Sequence, residues 1–219
     1  MHNIASRYIT IMICFVAASQ ACATKNIREI WHSMPDSLSI YVDSLQRRDL
    51  VSFADMGLHS EVRNLFDVTT SVDTLTDTYM SVRMSSSELM QMRLLPAKDS
   101  TQIVCLVRTF EPAEGNGESD VRFFTTEWNA IESTFGLPLC TDEDSLLAKF
   151  VACPDTMASG RFDELRAMID PVMLCATLSA ADDTIRMSLS APLLTKEEER
   201  EMRAIIRKKL FKWDGETFK

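Results

Sequence analysis

The chain reads YMSVRMSSSELMQMRLL from residue 79 to residue 95. Apolar residues alternate with polar ones in two runs, first at positions 80, 82 and 84 and then at 90, 92 and 94. A period of two is typical of a β-strand that buries one face. The short connection between the runs suits a hairpin, which makes the two predicted strands antiparallel.

Two further strands are predicted after this pair. Gln102 to Phe110 are apolar on both faces, which is typical of a central strand that is covered on both sides. Val121 to Trp128 are β-branched and aromatic, and we expect a fourth strand there. Glu111 to Asp120 contain proline, glycine and acidic residues, which favour a loop. Residues 78–128 are therefore predicted to form an antiparallel meander.

Helical spacing precedes the meander. Lys25 to Met34 place apolar residues on one helical face. Asp36 or Ser37 can cap a second helix that runs through Leu45, because both side chains accept hydrogen bonds from backbone N–H groups. Asp49 to Leu65 are expected to continue as short helical pieces, so this segment is predicted to cover one face of the sheet.

Helices and hairpins alternate after the meander. The predicted elements are helices over 141–151, 161–169 and 197–208, a hairpin over 172–190 and a closing hairpin over 210–218. The fold class that follows is α+β, with a mainly antiparallel sheet of about seven strands and helices packed on it. We expect residues 24–219 to form a single domain; the alternative is a two-unit architecture divided near 136–142.

Composition limits the kinds of partner. The chain has 219 residues, of which 46% are hydrophobic and 25% are charged, and its formal net charge is -9. An acidic protein without a basic patch is a poor candidate for binding the phosphate backbone of a nucleic acid. No run after the N-terminus is long and apolar enough to predict a membrane span.

Residues 1–23 predict a secretory signal peptide. Arg7 supplies the positive charge, and Tyr8 to Ala18 form an apolar stretch of signal length. Small residues then precede a predicted cleavage site after Ala23. The alternative is a lipoprotein in which Cys22 carries the lipid. Either interpretation predicts export to the periplasm or cell envelope.

Four cysteines follow the predicted signal. Cys105 and Cys175 lie in apolar strands, where a cysteine behaves as a small hydrophobic residue. Cys140 and Cys153 lie in loop-like settings beside prolines and are the better candidates for a disulfide, which an exported chain permits. Spacing alone leaves the pairing open, and no Cys/His spacing predicts a zinc site.

Recognisable catalytic motifs are absent from the sequence. His32 and His59 are isolated along the chain, so no catalytic, cofactor-binding or metal-binding residue is singled out and no cofactor is predicted. Four methionines of the meander face one another in the predicted hairpin, namely Met80, Met84, Met90 and Met92. Thioethers bind Cu(I), but methionine also fills cores, and the core interpretation is favoured.

A short pattern recurs in which Asp is followed by Ser or Thr and then by an apolar residue. Its hydroxyl-bearing members are Ser37, Ser44, Thr74, Ser145, Thr156 and Thr184. The pattern resembles the acceptor motif for O-glycosylation on exported proteins of Bacteroidales. The alternative explanation is that Asp-Ser and Asp-Thr are favoured at helix caps and turns. Both hold together if the acceptors are exposed.

Several runs resemble an uncharacterised secreted protein family of Bacteroidales. These runs are Met34-Pro35-Asp36-Ser37-Leu38, Leu94-Leu95-Pro96, Asp99-Ser100-Thr101-Gln102-Ile103, Val121-Arg122-Phe123-Phe124-Thr125-Thr126-Glu127-Trp128, Leu194-Thr195-Lys196-Glu197 and Lys212-Trp213-Asp214-Gly215. The resemblance spans most of the chain after the predicted signal. It implies export and a single domain, and it brings no activity, cofactor or site residue.

Two classes of function remain open from sequence. The favoured class is a non-enzymatic envelope protein that binds another envelope protein or a glycan. The alternative is a hydrolase-type enzyme with an unrecognised carboxylate or serine site. Phe211, Trp213 and Phe218 are the candidate partner surface, because they lie near the C-terminus in a sheet protein. The competing explanation is that these aromatics seal the core.

Overall fold

A seven-stranded antiparallel meander forms the centre of the molecule. The structure is a computed structural model, and it describes residues 24–113, 116–139, 141–190 and 195–219. The elements in chain order are α1 (Ile27–Ser33), α2 (Ser44–Asp55), β1 (Glu61–Arg63), β2 (Thr69–Leu75), β3 (Tyr79–Ser85), β4 (Glu88–Pro96), β5 (Gln102–Ala113), β6 (Asn116–Thr125), β7 (Ala130–Ile131), α3 (Glu143–Phe150), α4 (Ser159–Ala167), β8 (Leu174–Leu178), β9 (Thr184–Leu189), α5 (Lys196–Ile205) and β10 (Lys209–Lys212). The meander follows sequence order from β1 to β7, and a second sheet has the order β10-β9-β8.

The central strands of the meander are covered on both faces. Met80 of β3 pairs with Met92 of β4, which pairs in turn with Leu106 of β5, and all three side chains are buried under the helical layer. The residues of opposite parity, such as Cys105 and Phe123, are buried on the other face. The central strands are therefore apolar on both sides, as the sequence of residues 102–110 indicates.

Helices α1 and α2 form the layer over the methionine-rich face. Asp43 caps α2 with a capping box that it completes with Gln46. The two helices are joined by a bond in which the Trp31 indole Nε1 donates to the Arg47 carbonyl at 3.0 Å. Trp31 and Leu50 are fully buried against the sheet. The short helices thus gain their stability mainly from this packing.

The three-stranded sheet packs on the opposite face of the meander. The Ser119 hydroxyl of β6 accepts a bond from the Ala176 N–H of β8 at 2.9 Å. The Arg93 guanidinium of β4 donates to Asp183 at 2.8 Å and to the carbonyl of Ser179 at 3.3 Å, in the turn before β9. These contacts fix the edge and the turn of the small sheet against the meander.

Helices α3, α4 and α5 complete this second layer. Phe150 of α3 and Trp213 after β10 lie in the same hydrophobic core as Leu95 and Phe123 of the meander. Residues from both sides of the segment 136–142 therefore contribute to one core.

The predicted fold class is confirmed, and so are most of its elements. The four central strands, the hairpin of β8 and β9, the helix α3 and the capping box that starts α5 at Thr195 lie where the sequence predicts them. The predicted closing hairpin forms around Asp214 and Gly215, where Lys212 and Lys219 exchange both backbone hydrogen bonds and Trp213 forms a bridge with Phe218. In addition, β10 pairs with β9.

The predicted loop over residues 111–120 is wrong. Strand β5 continues to Ala113 and β6 begins at Asn116, so the hairpin is longer than expected. The register shifts between Phe110 and Ala113, and a proline is tolerated in a strand at such an irregularity. Conversely, β6 ends at Thr125, and Trp128 lies in the following turn with a φ of 64°.

The segment between the helices and the meander also differs from expectation. Residues 49–65 are predicted to form short helical pieces broken near Gly57, but α2 ends at Asp55 and the strand β1 follows. The sequence pattern also missed β2, in which only Thr70 is buried. Strand β2 forms by pairing with the edge of β3, and β1 then pairs with β2. The second helix starts at Ser44 rather than near residue 37, because Asp36 bonds the Arg47 guanidinium instead of capping a helix.

Candidate interaction surfaces

The C-terminal aromatic residues do not form the partner surface that the sequence suggested. Trp213 and Phe218 are only 5% and 4% exposed. The Trp213 indole donates to the Pro96 carbonyl at 2.7 Å, and its ring centroid lies 5.4 Å from that of Phe135. Phe211 is half-buried against the same core. Two of the three aromatics therefore seal the core, as the competing explanation held, and are not available to a partner.

Strand periodicity explains where these side chains point. Phe211 pairs with Ile185, which is fully buried. Leu210 pairs with Arg186, and both are exposed. Because successive side chains point to opposite sides of a sheet, β10 sends its aromatic residue inward and its neighbours outward.

The outward side of the small sheet is open to solvent at Arg186, Leu210 and Lys212, whereas its hydroxyl-bearing residues are half-buried. We call it the outer sheet face and define it by Thr177, Thr184, Arg186, Ser188, Leu210 and Lys212. Beside Arg186 lies a hollow of about 330 Å³, whose wall includes Asp182. The Ser179 hydroxyl is the main cause that lowers the pKa of the Asp182 carboxyl, with smaller contributions from Thr184 and Lys212. This hollow thus holds one carboxylate beside one guanidinium.

Positive charges on the two sheets differ in their pairing. Eight of the ten lysine and arginine side chains between residues 24 and 135 form ion pairs. They are Lys25, Arg28, Arg47, Arg63, Arg93, Lys98, Arg108 and Arg122. In contrast, five cations on and beside β9 and β10 form no ion pair with any described residue. They are Arg186, Arg207, Lys208, Lys209 and Lys212. Arg48, Arg83, Lys149, Arg166 and Arg200 also form no ion pair with a described residue, but each lies on a different element. The small sheet differs because its five unpaired cations lie on two neighbouring strands and in the residues just before β10.

A second surface is apolar and lies at the start of α2. We call it the apolar loop surface and define it by Ile40, Tyr41, Leu45, Leu65, Phe66 and Val68. Apart from the half-buried Tyr41, these side chains are 40% to 60% exposed. The Leu65 N–H donates to the Tyr41 carbonyl at 2.9 Å, and the rings of Tyr41 and Phe66 meet edge to face at 5.3 Å. These contacts hold the two segments of the surface together.

Asn64 fixes the β1–β2 loop that carries half of this surface. Its side-chain oxygen accepts from the N–H groups of Phe66 at 2.9 Å and Val68 at 3.3 Å. Its amide nitrogen donates to the Thr70 hydroxyl at 2.9 Å and the Met84 carbonyl at 3.1 Å. A buried side chain with four bonds leaves the loop little freedom, so its apolar side chains are presented in one arrangement.

The apolar loop surface was not predicted from the sequence. The available signal was an apolar pair, Leu65 and Phe66, between Asn64 and Asp67, both of which favour turns. Asp67 adopts the left-handed conformation with a φ of 59°. The side chain of Arg63 bonds it and lowers the pKa of its carboxyl.

The third candidate surface is a depression of about 470 Å³ at the β7 edge of the meander. Its wall includes Val121, Ile131 and Leu139 together with the charged Arg122 and Glu132. Strand β7 pairs only with Phe123 and Phe124 of β6. The groove is therefore bordered by a strand that is much longer than its neighbour.

The candidate acceptor hydroxyls are mostly accessible. Ser37, Ser44, Thr74, Ser145 and Thr156 are exposed, whereas Thr184 is half-buried at the first position of β9. The aspartate of the pattern also serves local structure at Ser44, because Asp43 caps α2. Ser145 follows Asp144, and its hydroxyl donates at 2.8 Å to Asp142, which caps α3. Cap formation and exposure thus occur together at these sites.

The cysteines lie in different environments. Cys140 is outside the described residues, so its disulfide with Cys153 stays a prediction. Cys153 is exposed, and its sulfur lies 3.6 Å from the Pro154 carbonyl oxygen. Cys105 is buried in the meander, where burial raises the pKa of its thiol. Cys175 is half-buried beside β6, with its sulfur 2.8 Å from the Gly117 carbonyl oxygen.

Other titratable and metal-binding residue types do not converge. No three His, Cys, Asp or Glu side chains of the described residues are placed to hold a metal ion. His59 is exposed, and its Nε2 lies 3.0 Å from Oε2 of Glu61. The pKa of His32 is lowered, mainly by burial. Met80, Met84, Met90 and Met92 are buried in the core under α1 and α2.

Within the described part of the chain, no helix combines the length and the apolarity that crossing a bilayer requires. The predicted signal peptide and Cys22 lie outside the described residues.

These features define an α+β protein built on an antiparallel meander with a small second sheet. The chain belongs to the family described as "Protein of unknown function (DUF3256)", which matches residues 19–218. It is similar to the solved structure of a domain of an uncharacterized protein from Porphyromonas gingivalis W83, with a TM-score of 0.67 and 20% identity. That match covers 90% of this chain and 98% of the other. At this identity it shows a shared fold. No curated protein matches the chain.

Proposed function

We propose that this chain is an exported, non-enzymatic binding protein that docks a partner protein on its apolar loop surface. The observation that carries the proposal is the Asn64-held loop, which presents Leu65, Phe66 and Val68 to solvent in a fixed arrangement. Contiguous exposed apolar side chains on a soluble protein commonly mark a contact surface. A surface that is already ordered loses little conformational entropy on binding, which favours affinity.

The rim of the surface favours a basic partner. Asp36, Asp43 and Asp67 are exposed around it. The chain as a whole carries a net charge of -9, so a second copy would meet it with like charge. We therefore infer a partner that presents apolar side chains flanked by lysine or arginine. Complementary charge of this kind mainly accelerates association and excludes wrong partners.

The proposal is tested by a pair of matched double variants. Leu65→Ser with Phe66→Ser removes apolar contacts from the surface. Met56→Ser with Leu58→Ser is the control, because these side chains are equally exposed but lie at the other end of α2. The twelve residues of α2 give a length of about 18 Å between its two ends. Both variants are expected to keep the wild-type melting temperature within a few degrees.

Each protein is immobilised and exposed to an envelope extract of its source bacterium, and bound proteins are quantified by mass spectrometry. A partner counts only if the first variant loses it and the control retains it. Recovery of the same proteins by all three chains would refute the surface. Light scattering at several concentrations detects self-association, and a dimer abolished by the first variant would identify a second copy as the occupant and refute the basic partner.

Export is the second component of the proposal, and the sequence of residues 1–23 supports it. Mass spectrometry of the protein from its native cells is expected to find Thr24 as the first residue. A lipid on Cys22 would establish the lipoprotein alternative. A chain that retains Met1 in the envelope would contradict both forms of processing.

O-glycosylation at the exposed acceptors is the third component. Accessibility of Ser37, Ser44, Thr74, Ser145 and Thr156 supports it. We expect hexose-bearing peptides from the native protein, most informatively around Ser44, since Leu45 of the apolar loop surface is its neighbour. A native mass equal to that of the polypeptide, 24.8 kDa less the signal, would show that the acceptors are unmodified.

A further inference from the structure

The outer sheet face differs chemically from the rest of the molecule. Pairing between strands places Arg186 between Thr177 and Leu210, and Thr184 beside Lys212. All of these side chains leave the same side of the sheet, because they share one parity. Leu210 of the edge strand β10 is 68% exposed and Arg186 of the central strand β9 is exposed, so the described part of the chain leaves both open to solvent.

Cationic side chains on and beside this face are available to bind an anion. Arg186, Lys208 and Lys212 are exposed and form no ion pair with a described residue. No acidic residue occurs between positions 202 and 213. In a chain whose net charge is -9, such segregation concentrates positive potential on one side of the small sheet. An anionic ligand is therefore attracted here and repelled elsewhere.

The spacing of the cations suits a polymer with regularly placed charges. Arg186 and Lys212 lie on neighbouring strands at diagonal positions, which are about 7–8 Å apart. Long arginine and lysine side chains at this spacing can contact carboxylates on different sugars of one acidic chain. Lys208 immediately precedes β10, so an extended chain lying along β10 would meet Lys208, Arg186 and Lys212 in turn.

The hollow beside Arg186 favours a sugar over other anions. Its wall offers a guanidinium donor, the carboxylate acceptor of Asp182 and the hydroxyl of Thr177. Sugar hydroxyls both donate and accept, so they can use all of these groups. A phosphate-dense ligand such as DNA would meet Asp182 with repulsion. A membrane surface would find only Leu210 to insert. The volume of about 330 Å³ is at the lower end of the range for small-ligand sites.

We propose that the outer sheet face binds an acidic polysaccharide, with Arg186, Lys208 and Lys212 contacting its carboxylates and the hollow taking one sugar unit. This site is separate from the apolar loop surface, and the two are tested independently. The contacts are exposed ion pairs, so binding is expected to be weak for each sugar and to depend on several contacts and on salt.

The probe is a polygalacturonate oligomer, titrated into the purified protein by calorimetry at low and at physiological ionic strength. Binding is expected at low ionic strength and is expected to weaken as salt is added. The variant Arg186→Gln with Lys208→Gln and Lys212→Gln is expected to bind about tenfold more weakly, equivalent to about 1.4 kcal/mol. The control variant Arg48→Gln with Arg166→Gln and Arg200→Gln removes the same charge from exposed side chains elsewhere and is expected to bind like wild type.

Melting temperatures establish that both variants fold, which the exposure of the substituted side chains predicts. Equal binding by the two triple variants would overturn the site, because only net charge would then matter. Binding of neutral dextran as tightly as polygalacturonate would overturn the role of the carboxylates. Binding of anionic vesicles or of a DNA oligomer without polygalacturonate would replace the proposed ligand. No binding of polygalacturonate at low ionic strength would refute the proposal.

Discussion

The two sheets of this molecule are built alike and covered differently. The central strands of the meander are buried on both faces, between the helical layer and the small sheet. The small sheet is buried on its inner face alone, where Ile185 and Met187 are inaccessible. Its outer face carries hydroxyls, cations and the exposed Leu210. Coverage, rather than strand sequence alone, therefore decides which sheet offers a surface to a partner.

The difference extends to charge. The buried Arg93 of the meander is bonded to Asp183, and Arg108 is bonded to the buried Glu88. A buried cation without a partner is costly, so pairing is required there. Arg186 on the outer face meets water and has no such requirement. Cations that are withdrawn from water must be paired in this protein, whereas an exposed cation can stay unpaired and available to a ligand.

Removal of an inner aromatic is expected to have the largest effect. Trp213→Ala deletes a buried ring and its bond to the Pro96 carbonyl, so we expect a loss of about 4 kcal/mol in the free energy of unfolding. Leu210→Ala, three residues earlier on the outward side, is expected to change it by less than about 0.5 kcal/mol. Urea denaturation measures both. Similar losses for the two variants would mean that the outer face is covered in solution.

Removal of the ionic contact between the two sheets is expected to have the next largest effect on stability. Arg93→Ala leaves Asp183 and the carbonyl groups of Ser179 and Ala180 without their donor. We expect a loss of about 3 kcal/mol in unfolding free energy. Arg122→Ala is the matched control, because its pair with Asp120 is exposed and is expected to contribute less than about 1 kcal/mol.

Hydrogen exchange locates the Arg93 effect. If the contact joins the sheets, amides of β8 and β9 should exchange faster in Arg93→Ala than those of β3 and β4. Uniform acceleration over all four strands would instead show that the two sheets unfold as one unit without a local opening.

A hydroxyl that bridges the sheets is expected to contribute less. Ser119→Ala removes the acceptor for the Ala176 N–H and a contact with Thr109. Because a buried donor is left unsatisfied, we expect a loss of about 1.5 kcal/mol in unfolding free energy. Ser188→Ala, on the outer face, is expected to be neutral. A measurable loss for Ser188→Ala would reveal a contact on that face.

The smallest expected effect is a change in the pH dependence of stability. The Lys219 ammonium, followed by backbone N–H groups of Thr217 and Glu216, holds the pKa of Asp214 well below its usual value of 3.8. A carboxyl with a lowered folded-state pKa stabilises the fold above about pH 4, and this contribution is lost as the pH falls toward the folded-state pKa. Asp214→Asn keeps an acceptor oxygen for the turn but not the charge.

Denaturation midpoints from pH 6 to pH 3 are the measurement for this variant. The wild-type midpoint is expected to fall more steeply than that of Asp214→Asn below about pH 5. Parallel curves would show that Asp214 does not contribute to acid sensitivity.

Local patterns were sufficient for most of the fold. Alternation placed the central strands and the β8–β9 hairpin, and capping residues placed the starts of α3 and α5. Strands β1 and β2 were not predicted because most of their residues are polar or exposed, and because β2 depends on pairing with β3 and β1 on pairing with β2. The candidate surfaces escaped for a similar reason. Asn64 acts through bonds to Thr70 and Met84, and no pattern near residue 64 predicts those bonds.

The sequence by itself determined the period of each strand and therefore the two sets of side chains that point in opposite directions. It placed Phe211 in one set and Leu210 with Lys212 in the other. Only the tertiary structure decided which set is buried, because burial depends on what packs against a face. The aromatic cluster of Trp213, Phe135 and Phe218 joins residues that are distant in sequence. Periodicity is a local property of the chain, whereas exposure results from contacts that form only when the whole chain has folded.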